Sequence, residues 1–114
     1  MTGALHHDPS VDNSGDWQSN LVLDTMSYTL PNGELFSEDF HVFEIEWDEE
    51  KIVWKVNGDQ KAQISITEPG RSEFHQPFYA IFNIAVGGWY TVDPDETTGF
   101  PRYMYIDWIR HYTK

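Results

Sequence analysis

The fold class of this chain is decided by residues 40–66, FHVFEIEWDEEKIVWKVNGDQKAQISI. Residues 40–47 and 51–56 alternate between two sets of side chains, and this period of two is typical of a β-strand lying on a core. Asn57 and Gly58 then form a dipeptide that favours a tight hairpin turn, because both turn positions need positive φ. The stretch therefore predicts three antiparallel strands in succession, at residues 40–47, 51–56 and 60–66.

Further strands are predicted on both sides of this stretch. Residues 2–6 and 24–28 are short extended segments, and the second is followed by a Pro-Asn-Gly turn. Residues 78–86 are nearly all apolar, as in a central strand that is covered on both faces. Residues 103–112 form a last strand rich in aromatic and β-branched side chains. Since no segment has a convincing helical period, we predict an all-β chain that folds as an antiparallel β-sandwich.

Composition and charge exclude several classes of partner. The 114 residues suit a single domain, predicted as one β-sandwich region over residues 1–114, and they carry a formal net charge of −12. This charge repels phosphate backbones and anionic lipids, so we expect neither a nucleic-acid nor a membrane partner. The chain has no cysteine, which rules out disulfides and cysteine-ligated metals. Aromatic residues make up 16% of the chain and stack well on sugar rings, so a neutral polysaccharide is a compatible partner.

Candidate ligand-binding side chains lie where the regular pattern is interrupted. Asn83 is the polar exception in an apolar strand, and it either satisfies a neighbouring backbone group or bonds a sugar hydroxyl from a groove. Trp89 and Tyr90 follow a glycine pair in a loop, where binding groups are common, so they are the predicted stacking residues. Trp17 lies in a polar loop and suits either a core or a binding role. The alternating strands favour core positions for three other tryptophans, which are Trp47, Trp54 and Trp108.

Two carboxylates, Glu44 and Glu46, lie on one face of a predicted strand, with their Cβ atoms about 6.6–7 Å apart. Their carboxyl groups could therefore approach the separation of roughly 5–5.5 Å that a retaining glycosidase uses. The alternative is a solvated strand face, which we favour because charged residues in strands usually point to water.

Metal binding has little support in the sequence. His6 and His7 are adjacent and point to opposite faces of a strand, so they do not readily share a zinc ion. His6 is instead a candidate hydrogen-bonding group in a groove, or a solvated terminal side chain. Residues 93–96, Asp-Pro-Asp-Glu, offer oxygen ligands of the kind that calcium accepts, but their spacing favours an Asx turn. We expect no required cofactor.

Several blocks of sequence together resemble glycoside hydrolase family 16 of the laminarinase type. They stand in the family's order and are TGALHHD at residues 2–8, SYTLPNGELFSEDFHVFEIEWDEEKIVWKVNGD at 27–59, QPFYAIFNIAVGGWYTVDPDETTGFP at 76–101 and MYIDWIRHY at 104–112. The resemblance implies a partial jelly roll of the concanavalin A-like type and retaining hydrolysis of β-1,3- or β-1,3-1,4-glucans. It covers the C-terminal half of the family domain. The family's Glu-x-Asp-x-x-Glu catalytic strand is absent, and in the family it lies just upstream of the block at residues 2–8.

The resemblance also implies roles for individual residues. His6, Asn83 and Trp89 match positions on or beside the concave sheet that holds the glucan. Asp107 matches an aspartate that helps to bind a structural calcium ion. Glu44 and Glu46 match a strand whose carboxylates are not catalytic.

From these features we expect part of a β-glucan-active hydrolase that is inactive alone. The alternatives are a non-catalytic β-glucan-binding module and a truncated product without a function of its own. A half jelly roll leaves strand edges open, which favours a homodimer or a swapped partner. The family implies an extracellular or periplasmic location, although no signal peptide is visible in the chain.

Overall fold

The computed structural model describes residues 2–7, 22–88 and 92–113, and the chain divides into two compact units, residues 1–77 and 78–114. The strands of the described residues all lie in the first unit: β1 (Thr2–His7), β2 (Val22–Ser27), β3 (Phe43–Trp47), β4 (Lys51–Val56) and β5 (Asp59–Ser65). All pairs are antiparallel, β1 with β2 in one sheet and β3-β4-β5 in the other. The predicted all-β, antiparallel class is confirmed, and the first unit is consistent with a partial β-sandwich. None of the described residues belongs to a helix that is long and apolar enough to cross a membrane.

The core of the first unit lies between its two sheets. Alternation along β4 directs Ile52 and Trp54 to the same face, where they meet Leu5 of β1. The buried cluster consists of Leu5, Ile52, Trp54, Ile66 and Phe74, with Met26, Ala62 and Ile64 packed against it. β1 approaches closely at Gly3, where an added Cβ would lie 3.1 Å from both Met26 Cγ and Trp54 Nε1. A side chain at this position would therefore require Met26 or Trp54 to move by a few tenths of an ångström.

The hairpin between β4 and β5 forms as predicted. Asn57 and Gly58 have φ values of 53° and 84°, the left-handed conformations that a two-residue turn requires. The Asn57 side chain also forms hydrogen bonds outside the turn. Its Oδ1 accepts a 2.9 Å hydrogen bond from Val42 N–H, and its Nδ2 lies 3.1 Å from His41 Nδ1 and donates to it. The turn residue thereby fixes the segment that enters β3.

β3 is shorter than predicted, beginning at Phe43 rather than at residue 40. Its partner β4 ends at Val56, opposite Phe43, and the chain then enters the turn. The Val42 carbonyl still accepts from the Asn57 N–H at 2.9 Å, in the register of the ladder, but the Val42 N–H donates to the Asn57 side chain rather than to the Asn57 carbonyl. The preceding residues pack through aromatic contacts, with the Phe36 ring 5.0 Å from His41 and 5.5 Å from Phe43 between centroids.

β5 contains one more residue than β4 at its centre. Trp54 pairs with Ala62 while Lys55 pairs with Gln60, so Lys61 is the extra residue of a β-bulge. The Lys61 ammonium lies 4.3 Å from the centre of the Tyr28 ring, a cation–π contact. After β5 the chain forms a 3₁₀ turn, Ser72–His75, and His75 Nε2 donates to the Ile66 carbonyl at 3.0 Å.

The second unit differs from the prediction. Residues 78–86 and 103–112 were predicted as strands, but no strand occurs among the described residues 78–88 and 92–113. The apolar side chains of these segments, such as Phe82 and Ile106, are exposed. An apolar, β-branched sequence favours the extended conformation of a strand. A strand also needs a partner strand that forms hydrogen bonds with its backbone N–H and C=O groups.

The predicted core positions of the tryptophans are correct for one of the three. Trp54 is 8% exposed, but Trp47 and Trp108 are 40% and 49% exposed, so the predictions for these two are wrong. Trp47 lies on the edge strand β3, and Trp108 lies in a segment without a strand partner among the described residues. The grouping of residues 1–114 into one β-sandwich region stays a prediction.

Candidate functional site

An open pocket of about 160 Å³ lies within the second unit. Its wall comes from the end of the apolar segment and from the loop that follows, at Ile84, Ala85, Val86, Gly87, Val92, Pro94, Thr98, Phe100 and Arg102. The lining is largely apolar, with one hydroxyl and one guanidinium. Ligand pockets usually have volumes of about 300 Å³ or more, so this one has room for part of a ligand such as a single ring.

A glycine pair turns the chain at the pocket. Gly87 and Gly88 have φ values of 73° and 109°, which residues with a side chain rarely adopt. A Cβ at Gly87 would lie 2.7 Å from Asp93 Oδ1, and the Gly88 N–H donates to the same oxygen at 3.4 Å. Glycine at position 87 therefore permits the close approach of Asp93, which brings the loop back beside the apolar segment.

A second turn closes the other side of the loop. Asp95 Oδ1 accepts hydrogen bonds from Thr97 N–H at 2.8 Å, from Thr97 Oγ1 at 2.6 Å and from Thr98 Oγ1 at 3.4 Å. The Asp95 N–H in turn donates to Thr98 Oγ1 at 3.0 Å. A side-chain oxygen that accepts from the backbone two residues later is an Asx turn, and this confirms the predicted turn. The turn positions Thr98 in the pocket wall.

The Asx turn is expected to depend on pH. The Thr97 hydroxyl, followed by the Thr97 N–H, lowers the pKa of Asp95 below that of an unperturbed aspartate, because both stabilise the carboxylate. A carboxylate whose pKa is lowered in the folded state stabilises that state. This stabilisation is fully present above the pKa that the group has in the unfolded chain, and it is lost as the pH falls through the pKa of the folded state. We expect Thr97→Val to raise the Asp95 pKa towards its ordinary value, as followed by the NMR shift of the side-chain carboxyl carbon during acidification.

Thr98→Val is the matched control for this titration, since the Thr98 hydroxyl is farther from Asp95 Oδ1 and contributes less to the shift. It should raise the Asp95 pKa by less than Thr97→Val does. An Asp95 titration curve that is the same in wild type and in Thr97→Val would show that the hydroxyl does not stabilise the carboxylate.

Three of the five predicted binding residues, Asn83, Trp89 and Tyr90, stand beside residues of the pocket wall in the sequence. Asn83 is exposed and directly precedes the lining residue Ile84. Trp89 and Tyr90 lie outside the described residues, between two residues of the pocket wall, Gly87 and Val92. Trp17 also lies outside them. His6 belongs to β1, opposite Leu23 in the ladder. The binding roles of these five residues stay predictions.

The carboxylate pair of β3 has a structural partner. Glu44 lies opposite Lys55 in the β3–β4 ladder, and the Lys55 ammonium forms an ion pair with Glu46 Oε1. The Glu46 side chain is mostly exposed. Exposed ion pairs contribute little to stability, but this one engages an oxygen that a catalytic carboxyl would need for the substrate.

A metal site is not assembled in the part of the chain that the structure describes. Among those residues no three His, Asp or Glu side chains come together as metal ligands. Asp107 is exposed and would need ligands from elsewhere to complete a calcium site. Its role in calcium binding stays a prediction.

Sequence reasoning missed several residues of the pocket wall, chiefly Thr98, Phe100 and Arg102. These residues reach the apolar segment only because the glycine pair and the Asx turn fold the loop back. The available signal was the combination of Gly87-Gly88 with the Asp-Glu-Thr-Thr run at residues 95–98, which marks two tight turns that flank one loop.

Comparison with known proteins gives one family and several relatives. The family model of glycosyl hydrolases family 16 matches residues 12–110. A glucan endo-1,3-beta-glucosidase A1 from Niallia circulans is 33% identical over 98% of this chain, and the match covers 17% of that protein. A beta-glucanase from Rhodothermus marinus is 38% identical over 65% of this chain and 29% of its own length.

A third relative is named as a clotting factor subunit rather than as a glucanase. The clotting factor G alpha subunit from Tachypleus tridentatus is 36% identical over 65% of this chain, and the match covers 11% of its own length. The chain therefore spans less than a third of each of these three relatives. No solved structure matches the chain significantly.

Proposed function

The chain belongs to glycosyl hydrolases family 16, and from this premise we propose that it is part of a β-glucan-active hydrolase that contributes to glucan binding. The family match over residues 12–110 carries the proposal. Two of the relatives are named as an endo-1,3-beta-glucosidase and a beta-glucanase, which supports a β-1,3- or mixed-linkage β-glucan as the substrate of the complete domain.

The catalytic carboxylates of this hydrolase lie outside the chain. Retaining hydrolysis of a glycoside needs a nucleophile and an acid/base separated by about 5–5.5 Å. The 114 residues contain no Glu-x-Asp-x-x-Glu segment. Glu44 and Glu46 lie on one face of β3, where Glu46 forms an ion pair with Lys55 and Glu44 lies opposite Lys55 in the ladder, which supports a structural role for these two carboxylates. The chain alone is therefore inactive in this proposal.

The binding role rests on the pocket and its neighbours in the chain. The wall is apolar with a few polar groups, an arrangement that suits the flat face and the hydroxyls of a sugar ring. Asn83 offers an amide for a hydroxyl, and Trp89 and Tyr90 offer rings for stacking. The net charge of −12 does not oppose a neutral polysaccharide.

A non-catalytic β-glucan-binding protein is the second candidate. One observation favours it: a relative of comparable identity is named as a clotting factor subunit rather than as a glucanase. The two candidates share the binding site and differ in whether catalytic carboxylates belong to the complete protein.

The test combines turnover with binding. The purified 114-residue chain should release no reducing sugar from laminarin or from mixed-linkage β-glucan, while binding these glucans measurably in affinity electrophoresis. Asn83→Ala and Trp89→Ala should each weaken binding about tenfold, because a lost hydrogen bond or stacked ring costs about 1–1.5 kcal/mol.

Trp108→Ala is the matched control, since it removes an exposed tryptophan from the same unit but outside the pocket wall. It should leave glucan binding unchanged. Sugar release that disappears in Glu44→Gln or Glu46→Gln would instead identify these residues as catalytic. Absence of both release and binding would support a truncated product without a function of its own.

A further inference from the structure

The sequence contains two Asn-Gly dipeptides, Asn32-Gly33 and Asn57-Gly58. Asparagine is chemically labile, and it is most labile before glycine, because glycine has no side chain that would hinder a reaction at its backbone nitrogen. Both asparagines lie in turns and have left-handed backbone conformations, with φ values of 59° and 53°. The two dipeptides are therefore alike in sequence and in backbone φ, and they differ in the contacts around them.

The reaction open to an Asn-Gly dipeptide is an intramolecular cyclisation. The glycine nitrogen attacks the carbon of the side-chain amide, a new C–N bond forms, and the amide nitrogen leaves as ammonia with the proton of the glycine N–H. Water then adds to one of the two carbonyl groups of the succinimide and opens the ring to aspartate or isoaspartate, without oxidation or reduction. The ring closes only when the reacting nitrogen and carbon come together, so contacts that hold either atom elsewhere slow the reaction.

Asn57 is held by contacts on its side chain and on its backbone. Its Oδ1 accepts from the Val42 N–H at 2.9 Å and its Nδ2 donates to His41 Nδ1 at 3.1 Å, so both ends of the amide are engaged. The Asn57 N–H donates to the Val42 carbonyl at 2.9 Å. The β4–β5 ladder closes the turn, with Val56 paired to Asp59. Cyclisation at Asn57 therefore requires the loss of two side-chain hydrogen bonds and the opening of the end of the hairpin.

Asn32 lies in a turn with fewer constraints. This 3₁₀ turn, Pro31–Gly33, is flanked by Leu30 and Glu34 in extended conformations, and neither of these belongs to a strand of the described residues. The Glu34 N–H donates to the Pro31 carbonyl at 3.2 Å, a longer bond than those that hold Asn57. Within the described ranges no hydrogen bond reaches the Asn32 side chain, which is exposed. Cyclisation at Asn32 therefore requires only a local change of the turn.

We propose that Asn32 is the site at which the folded chain deamidates, and that the contacts with Val42 and His41 protect Asn57 from the same reaction. Aspartate or isoaspartate at residue 32 adds one negative charge to the segment between β2 and β3, and isoaspartate also adds one carbon to the main chain. At Asn57 the same change would replace the Nδ2 donor with an oxygen that cannot donate to His41. The side-chain bonds of Asn57 thus preserve the residue on which they depend.

The test follows both sites in the complete 114-residue chain during incubation at mildly alkaline pH. Chymotrypsin releases residues 29–35 with Asn32 and residues 55–74 with Asn57, and each peptide contains a single asparagine. Mass spectrometry of these peptides gives the two deamidation rates. Each rate is divided by the rate of the same site in concentrated guanidinium chloride, which removes the effect of neighbouring residues. The normalised rate at Asn32 should be at least about tenfold higher, because two hydrogen bonds oppose the reaction at Asn57.

His41→Phe is the variant that tests the cause of the protection. It keeps an aromatic ring beside Phe36 but removes the acceptor of the Asn57 amide, so the rate at Asn57 should rise about fivefold while the rate at Asn32 stays the same. Unchanged hydrogen exchange of the β4 amides shows that the sheet is intact in the variant. Equal normalised rates at the two sites, a higher rate at Asn57, or an Asn57 rate that His41→Phe leaves unchanged would overturn the proposal.

Discussion

Replacing Trp54 with alanine is expected to lower the free energy of unfolding by about 3–5 kcal/mol. Trp54 is 8% exposed and belongs to the buried cluster, between Ile45 of β3 and Ala62 of β5 in the sheet. Its removal takes a large apolar side chain from the core and leaves a cavity that the two sheets can fill only in part. Urea unfolding followed by far-ultraviolet circular dichroism measures the change.

Trp108→Ala is the matched control for the core variant. Trp108 is 49% exposed, and its described contact is with the Arg110 guanidinium, 4.7 Å from the ring centre. An exposed cation–π contact contributes about 0.5–1 kcal/mol, so the loss should be several times smaller than for Trp54. Equal losses in the two variants would show that the core of the first unit does not depend on Trp54.

The second large effect is expected at Asn57, where alanine should lower the free energy of unfolding by about 2 kcal/mol. About half of this loss is the cost of placing alanine in the left-handed backbone conformation, which glycine and asparagine adopt more readily. The rest is the loss of the side-chain hydrogen bonds to Val42 and His41. Asn57→Gly keeps the backbone conformation and loses only the side-chain bonds, so it should cost about 1 kcal/mol.

The same urea experiment compares these two variants, and hydrogen exchange at the Val42 amide reports its bond to Asn57 directly. Exchange of that amide should become faster in both variants. Wild-type stability and wild-type Val42 exchange in Asn57→Gly would mean that the side-chain bonds contribute nothing.

Local signals predicted the first unit well. β4 has its predicted bounds of Lys51–Val56, because alternation and the Asn-Gly turn act within a few residues of each other. β5 begins one residue earlier than predicted, at Asp59, since the turn is only two residues long. The late start of β3 could not be read from the alternation, because it depends on where the partner strand ends and on a side-chain bond from Asn57.

The second unit shows the limit of the same reasoning. Residues 78–86 have the composition of a buried strand, yet composition does not supply a partner, and strand pairing is a non-local property. The prediction of the site was incomplete for a similar reason, because part of the pocket wall depends on how the loop folds. Asn83 could be found as a polar exception, whereas Phe100 and Arg102 join the pocket wall through the glycine turn at residues 87–88 and the Asx turn at residues 95–98, which together fold the loop back.

The missing side chain at Gly3 makes three positions of the first unit depend on one another. Gly3 is paired with Met26 in the β1–β2 ladder and lies close to Trp54 of the other sheet, so that a Cβ at Gly3 would be 3.1 Å from side-chain atoms of both residues. Alanine at position 3 would require the side chains of Met26 and Trp54 to move by a few tenths of an ångström, and a smaller residue at position 26 or 54 would reduce that movement. Whether a substitution at position 3, 26 or 54 is tolerated thus depends on the residues at the other two positions. Single substitutions therefore underestimate the range of side chains that combined substitutions at these positions would allow.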